Sequence, residues 1–208
     1  MSVLHEDRVV NIVLAGVGGQ GTLVAGKLLG AVANQIGMDV KVSEVHGMAQ
    51  RGGAVITYVR MGEKVYSPIV EQGCADIILA FEELEALRWS RLLREDGVML
   101  INRRRILPMT VATGQMAYPD DIVGKLRGLT GEKAKVYAFD ALDLAEKCGS
   151  SRAVNVVMAG AMAWMLGFEP EVFDQAIDAV FAPKYRSINH AAFKAGSDIM
   201  KIETKNEA

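Results

Sequence analysis

Val9-Val10-Asn11-Ile12-Val13-Leu14-Ala15-Gly16-Val17-Gly18-Gly19-Gln20-Gly21 is the stretch that decides the fold class of this 208-residue chain. Its first seven residues are mostly apolar and β-branched, the pattern of a strand covered on both faces. The run passes directly into a glycine loop, and Thr22 to Ala33, where Lys27 is the one charged residue, reads as a largely buried helix. Gly26 and Gly30 are expected to let that helix lie close to the sheet. Strand, glycine loop and helix in this order open a Rossmann-like unit. There Gly16 would make the tight turn, Gly18 would let a ligand approach the backbone, and Gly21 would bring helix and strand together, while free amides at the helix start attract anions. The G-x-G-x-x-G spacing also occurs in turns that only pack, so a phosphate-bearing ligand and a packing turn are both open readings.

Downstream, strands and helices alternate. Val40 to Val45 and Ala54 to Arg60 read as strands, with Gly62-Glu63 as a turn and Ser67-Pro68 as a turn ending a strand. Asp76 to Phe81 and Val98 to Asn102 read as buried strands, joined by a helix from Glu82 to Arg94 through Leu84, Leu87, Arg91 and Arg94. Pro119 opens a helix running to Leu129, Ala134 to Phe139 is a further strand, and three helices close the chain. In the last of them Ile188, Ala192, Ala195, Ile199 and Ile202 form one stripe directed at the body of the molecule. The expected fold is α/β: a single three-layer Rossmann-like domain over residues 1–208, with an open, mainly parallel sheet and a helical C-terminal part.

Hydrophobic residues make up 50% of the chain and charged residues 23%, enough for a substantial core. A net charge of −2 sets up no field for a polyanion, which argues against nucleic acid. Arg103-Arg104-Arg105 is a local basic run, read as a solvated turn or as a contact for an acidic patch or phosphates. Cys74 and Cys148 lack the C-x-x-C spacing of zinc or iron–sulfur ligands, so no metal site is expected, and both read as reduced thiols of a cytoplasmic protein. The first eight residues carry no signal-peptide pattern. Ala153 to Phe168 is uncharged but shorter than the ~20 apolar residues of a membrane span and contains Asn155, so it reads as a buried helix.

A second glycine-rich loop, His46-Gly47-Met48-Ala49-Gln50-Arg51-Gly52-Gly53, follows the second strand at the carboxyl end, where open α/β sheets bind ligands. Arg51 can make a forked contact with a carboxylate or phosphate, Gly52 and Gly53 leave backbone amides open, and His46 can exchange a proton near neutral pH. Singly, each has an ordinary explanation in an exposed arginine, a glycine turn and a surface histidine. Glu44 stands where a dinucleotide fold holds ribose hydroxyls, and it equally stands where it would orient this loop. Asn155, alone in an apolar helix, needs a hydrogen-bond partner in a loop backbone or across the cleft, because an unpaired buried amide costs roughly 1–3 kcal/mol.

Together, Gly16-Val17-Gly18-Gly19-Gln20-Gly21 and Glu44-Val45-His46-Gly47-Met48-Ala49-Gln50-Arg51-Gly52-Gly53, supported by Tyr66-Ser67-Pro68-Ile69 and the small-residue helix around Asn155 and Ala159-Gly160-Ala161, resemble the gamma domain of 2-oxoacid:ferredoxin oxidoreductases. Within that family the likeness is strongest to the separately encoded subunit of the aryl-pyruvate (indolepyruvate) branch. The resemblance implies oxidative decarboxylation of a 2-oxoacid to an acyl-CoA with ferredoxin as acceptor. It places thiamine diphosphate, magnesium and iron–sulfur clusters in a large alpha subunit, in a heterotetramer, with this chain inactive alone and holding no cofactor of its own. Coenzyme A would be contacted around Gly16, Gly18, Gly19, Gln20 and Gly21. Glu44, His46, Gln50, Arg51, Gly52, Gly53 and Asn155 would face the partner's active centre. Enzymes for pyruvate, 2-oxoisovalerate and 2-oxoglutarate use related domains, and a free-standing NAD-type or scaffolding domain is the competing class.

Overall fold

The computed structural model describes residues 8–47 and 52–206. Its centre is a six-stranded sheet in the order β2-β3-β1-β4-β5-β6, built from β1 (Val10–Val17), β2 (Asp39–His46), β3 (Ala54–Gly62), β4 (Ala75–Ala80), β5 (Leu93–Asn102) and β6 (Lys135–Phe139). β1, β4, β5 and β6 pair in parallel, whereas β3 lies antiparallel between β1 and β2. Alternation along β1 divides the core between the two faces of the sheet. Val10, Ile12 and Leu14 join the cluster beneath α1 (Thr22–Gln35), and Val13 and Ala15 join the one beneath α2 (Glu83–Trp89) and α4 (Ile122–Leu129). These strands therefore read as continuous apolar runs because both faces are covered.

Several expected elements are displaced, each for a local reason. The helix expected from Glu82 to Arg94 ends at Trp89, a 3-10 turn covers Ser90–Leu92, and Arg94 lies in β5. Asp76, fully buried at the start of β4, draws Arg94 there: the guanidinium lies 2.8 Å from its carboxylate, and Arg8 pairs with the same group. Unpaired, that carboxylate would be strongly destabilising. Pro119 does not open α4. Asp121 does, from a left-handed conformation (φ 42°), by accepting the Gly124 amide at 3.1 Å. Ser67-Pro68 lies beyond the end of β3 in an irregular segment, where Arg60 donates to the carbonyls of Ser67 and Ile69.

Among the described residues four α-helices, not three, follow β6: α5 (Ala141–Lys147), α6 (Val154–Leu166), α7 (Pro170–Val180) and α8 (Pro183–Asn206). α5 is a two-turn helix capped by Asp140, too short for periodicity to reveal. The buried face of α8 runs through Asn189, Ala192, Phe193, Gly196 and Met200, while Ile202, expected in the stripe, is 56% exposed. The stripe is rotated because α8 meets α6 backbone to backbone. A Cβ at Gly196 would stand 1.9 Å from the Val157 carbonyl oxygen, and one at Gly160 2.0 Å from that of Phe193. Gly26 packs against Thr57 and Val42 as expected of a close approach, but Gly30 faces open space. No helix among the described residues is long and apolar enough to cross a membrane.

Candidate functional site

β1→α1→β2 moves towards one edge of the sheet and β4→α2→β5 towards the other, so the strand order reverses between β1 and β4. Open α/β sheets usually bind ligands at that crevice, beyond the carboxyl ends of the strands. Here it is filled by side chains. The Gln20 amide donates to the Phe81 carbonyl at 2.9 Å and accepts the Val17 amide at 2.7 Å, while buried Asn102 donates to the same carbonyl at 3.2 Å. Gln20, expected in the cofactor-binding set, thus uses both ends of its amide to shape the loop.

The open space lies on the other flank of β1. A cleft of about 440 Å³ separates the glycine loop from the ends of β2 and β3, lined by Gly18, Gly19, Gly21, Thr22, Leu23, Glu44, His46 and Val55. That volume is within the range of small-molecule sites. The two glycine segments are joined by a bond from the Gly18 amide to the Gly53 carbonyl at 2.9 Å, so this amide is engaged within the protein. Gly16 keeps an ordinary backbone conformation and is small for packing: a Cβ there would meet Gln20, Thr22 and Phe81. Gly19 (φ +102°) and Gly21 (φ +82°) do need glycine's conformational freedom. A Cβ at Gly21 would stand 2.9 Å from the amide nitrogen of Asn155, so this glycine closes against α6 instead of making the expected helix–strand contact.

Asn155 is 5% exposed and its amide nitrogen donates to the Gly21 carbonyl at 3.4 Å, while its side-chain oxygen has no partner among the described residues. The loop-backbone partner expected for this residue is therefore present, and its acceptor is free among the described residues. α1 has no acidic residue in its first turn and no side-chain cap at Gly21. Glu44 supplies the missing charge from β2. It accepts from Thr22 Oγ1 at 3.4 Å and from buried Thr57 Oγ1 at 3.3 Å, directly opposite it in the β2–β3 register. A helix N-terminus is equivalent to roughly half a positive charge, so a full carboxylate beside it reverses the local balance. A second anion about 5 Å from Glu44 would meet a repulsion of about 3 kcal/mol at an effective dielectric of about 20.

His46 lines the same cleft, exposed, with Nδ1 3.1 Å from the Gly47 carbonyl oxygen. Gly52 adopts a left-handed conformation (φ +75°) next to Gly53. Gln50 and Arg51 lie outside the described residues. Of the expected site residues, the structure brings Gly18, Gly19, Gly21, Glu44 and His46 to one cleft, ties Gly53 to Gly18 through its carbonyl and sets Asn155 behind Gly21.

Sequence reasoning missed a buried polar cluster at the end of β4. Glu82 caps α2 through the Glu85 amide and accepts from the Ile106 amide at 3.0 Å and from Tyr118 Oη at 2.6 Å. Glu83 pairs with Arg105 at 2.8 Å, and Glu85, its pKa raised by burial, accepts from Trp89. Burial, then the bond to Glu82, pushes the Tyr118 phenol well above its usual range. Three glutamates within four residues were the available signal. The cluster also explains Arg103-Arg104-Arg105: Arg103 donates to the Ala138 carbonyl and Arg105 pairs with Glu83, so the run fastens its own loop.

Comparison with known proteins agrees with this architecture. The chain is 43% identical to the indolepyruvate oxidoreductase subunit IorB of Thermococcus kodakarensis over 190 residues, 89% of this chain and 93% of the relative. It superposes on the gamma subunit of a keto/oxoacid ferredoxin oxidoreductase from Geobacter sulfurreducens with a TM-score of 0.70 at 22% identity, covering 93% of this chain and 99% of that one. The 2-oxoglutarate:ferredoxin oxidoreductase of Magnetococcus marinus, solved with 2-oxoglutarate, coenzyme A and succinyl-CoA bound, has a TM-score of 0.73 at 19% identity over 95% of this chain and 32% of that longer one. Both structures share the fold. Residues 11–199 match the family described as pyruvate ferredoxin/flavodoxin oxidoreductase, and the chain belongs to that family.

Proposed function

We propose that this chain is the small, cluster-free subunit of a thiamine-dependent 2-oxoacid:ferredoxin oxidoreductase acting on aryl pyruvates such as indolepyruvate. The observation that carries the reading is the 43% identity to an indolepyruvate oxidoreductase subunit across nearly the full length of both chains. In the proposed reaction the 2-oxoacid and coenzyme A thiol give the acyl-CoA, carbon dioxide and a proton. The C1–C2 bond breaks, a C–S bond forms, and two electrons pass singly to two oxidised ferredoxins. A large partner subunit would hold thiamine diphosphate, magnesium and the iron–sulfur clusters. This chain would supply the cleft beside Gly18, Gly19 and Gly21 to coenzyme A and the loop from His46 to Gly53 to the partner's active centre.

The test is reconstitution. The chain alone is expected to reduce no viologen with indolepyruvate and coenzyme A, and the assembled complex to do so faster with indolepyruvate than with pyruvate, 2-oxoisovalerate or 2-oxoglutarate. Reduction by the chain alone refutes the subunit reading, and a preference for another oxoacid refutes the substrate. Arg51→Ala is expected to leave the fold within about 0.5 kcal/mol and to lower assembly or turnover at least about tenfold, roughly 1.4 kcal/mol. Normal assembly with normal turnover would remove the loop from the mechanism.

A further inference from the structure

The glycine loop and the start of α1 invite a phosphate, yet the side chain that shares their cleft is a carboxylate. Glu44 is held there by construction. It sits opposite Thr57 in the β2–β3 register, accepts both Thr57 and Thr22 hydroxyls through one oxygen, Oε2, and lies beneath the part of α1 where Gly26 lets the helix approach Thr57 and Val42. Its other oxygen, Oε1, has no hydrogen-bond partner among the described residues. What this carboxylate can receive is an N–H or O–H donor, and what it repels is an anion.

We propose that Glu44 is the specificity-determining residue of the cleft, accepting hydrogen bonds from the uncharged amide-and-hydroxyl arm of a pantetheine and keeping phosphate away from the start of α1. The proposal rests on the reading that this cleft takes coenzyme A, and it assigns the part of the ligand. The pantetheine arm of coenzyme A offers two amide N–H groups, one hydroxyl donor and a branched apolar segment. Leu23, 44% exposed, and Val55 provide apolar lining beside the carboxylate. The nucleotide end of coenzyme A fits the same place poorly, because its ribose carries a phosphate next to the free hydroxyl. With the crevice between β1 and β4 filled by Gln20 and Asn102, the diphosphate lies outside the cleft, towards solvent or a neighbouring subunit.

The experiment is calorimetric titration of the full chain, and of the assembled enzyme, with coenzyme A, pantetheine, ADP and inorganic pyrophosphate, for the unaltered protein and Glu44→Gln. Glutamine keeps an acceptor oxygen for Thr22 and Thr57, and a thermal melt checks that the variant folds. The unaltered chain is expected to bind pantetheine at least tenfold more tightly than ADP or pyrophosphate. Glu44→Gln is expected to weaken pantetheine about tenfold, to tighten pyrophosphate, and in the assembled enzyme to raise KM for coenzyme A while leaving KM for the oxoacid unchanged. Pyrophosphate binding as tightly as pantetheine, or a glutamine variant with unchanged pantetheine affinity, overturns the assignment of Glu44 while coenzyme A binding stands. If neither coenzyme A nor pantetheine binds the chain or the assembled enzyme, the coenzyme A reading of the cleft falls with it.

Discussion

Gly196→Ala sets two effects of opposite sign against each other. In an exposed helix interior, alanine in place of glycine stabilises by up to about 1 kcal/mol. At position 196 the new Cβ would stand 1.9 Å from the Val157 carbonyl oxygen of α6, and neither group is the tip of a flexible side chain. A carbon–oxygen contact relaxes at about 3.3 Å, so α6 and α8 must separate locally by about 1.4 Å. Gaps of about 0.5–1 Å already forfeit roughly a quarter to a half of each dispersion contact, and overpacking of this kind costs about 1–3 kcal/mol or more. A separation of about 1.4 Å exceeds that gap range and puts the cost near its upper figure of about 3 kcal/mol, so subtracting about 1 kcal/mol of propensity gain leaves a net loss of about 2 kcal/mol, or about 4–8 °C in Tm for a chain of this size. Gly30→Ala is the control, since nothing among the described residues lies within 4 Å of its Cβ position, and it is expected to stabilise by a few tenths of a kcal/mol up to about 1 kcal/mol. Urea and thermal unfolding followed by circular dichroism read both. A Gly196→Ala protein as stable as the unaltered one would refute the backbone-to-backbone packing of α6 and α8.

Gly21→Ala is expected to cost about 1–3 kcal/mol in urea unfolding, because residue 21 holds φ +82° and the methyl meets Asn155, whereas Gly19→Ala pays the strain of φ +102° alone and should cost less. Tyr118→Phe leaves Glu82 without its 2.6 Å donor and should destabilise by about 1–3 kcal/mol, with faster proteolysis between Arg103 and Tyr118 as a second readout. His190 of α8 faces Asp174 through Nδ1 at 2.8 Å and Asp178 through Nε2 at 3.0 Å, both on α7, and only the doubly protonated ring donates to both. Burial opposes that charge, the bonds to Asp178 and Asp174 outweigh it, and the net shift is upward. A raised folded-state pKa means stability fully present below about pH 6.5 and lost as pH rises through the folded value. The urea midpoint should therefore fall modestly above about pH 6.5, and His190→Gln should flatten that decline; a pH-independent difference between the two proteins would count against the imidazolium.

The parallel half of the sheet was legible because strands buried on both faces are continuous apolar runs, and Ile77 to Ala80 and Val98 to Ile101 leave few alternatives. Strand direction was not legible. Nothing in Ala54 to Arg60 says that β3 runs against β1, since side-chain alternation is the same either way. Arg94 and Ile202 matched helical spacing by position and were placed by longer-range forces, a buried aspartate in one case and a glycine contact in the other. At the cleft, the glycines and Glu44 announced themselves through their place after strands. Closure of the β1–β4 crevice did not, because the same glutamine within a glycine motif serves equally as a ligand contact or as a plug, and its partner carbonyl lies 61 residues away.

That separation bears on the order of folding. The glycine loop is contiguous in sequence, yet Gln20 is held in place by Phe81, whose own amide donates to Ala15 beyond the β1–β4 parallel ladder. Closing a chain segment of that length is entropically unfavourable until β1 and β4 pair, so the loop acquires its final shape after that pairing. A growing chain that has emerged only as far as β3 would contain every residue lining the cleft without the support that sets the cleft's width. Binding competence is then a late event in biogenesis, available to a ligand or partner only once the centre of the sheet has assembled.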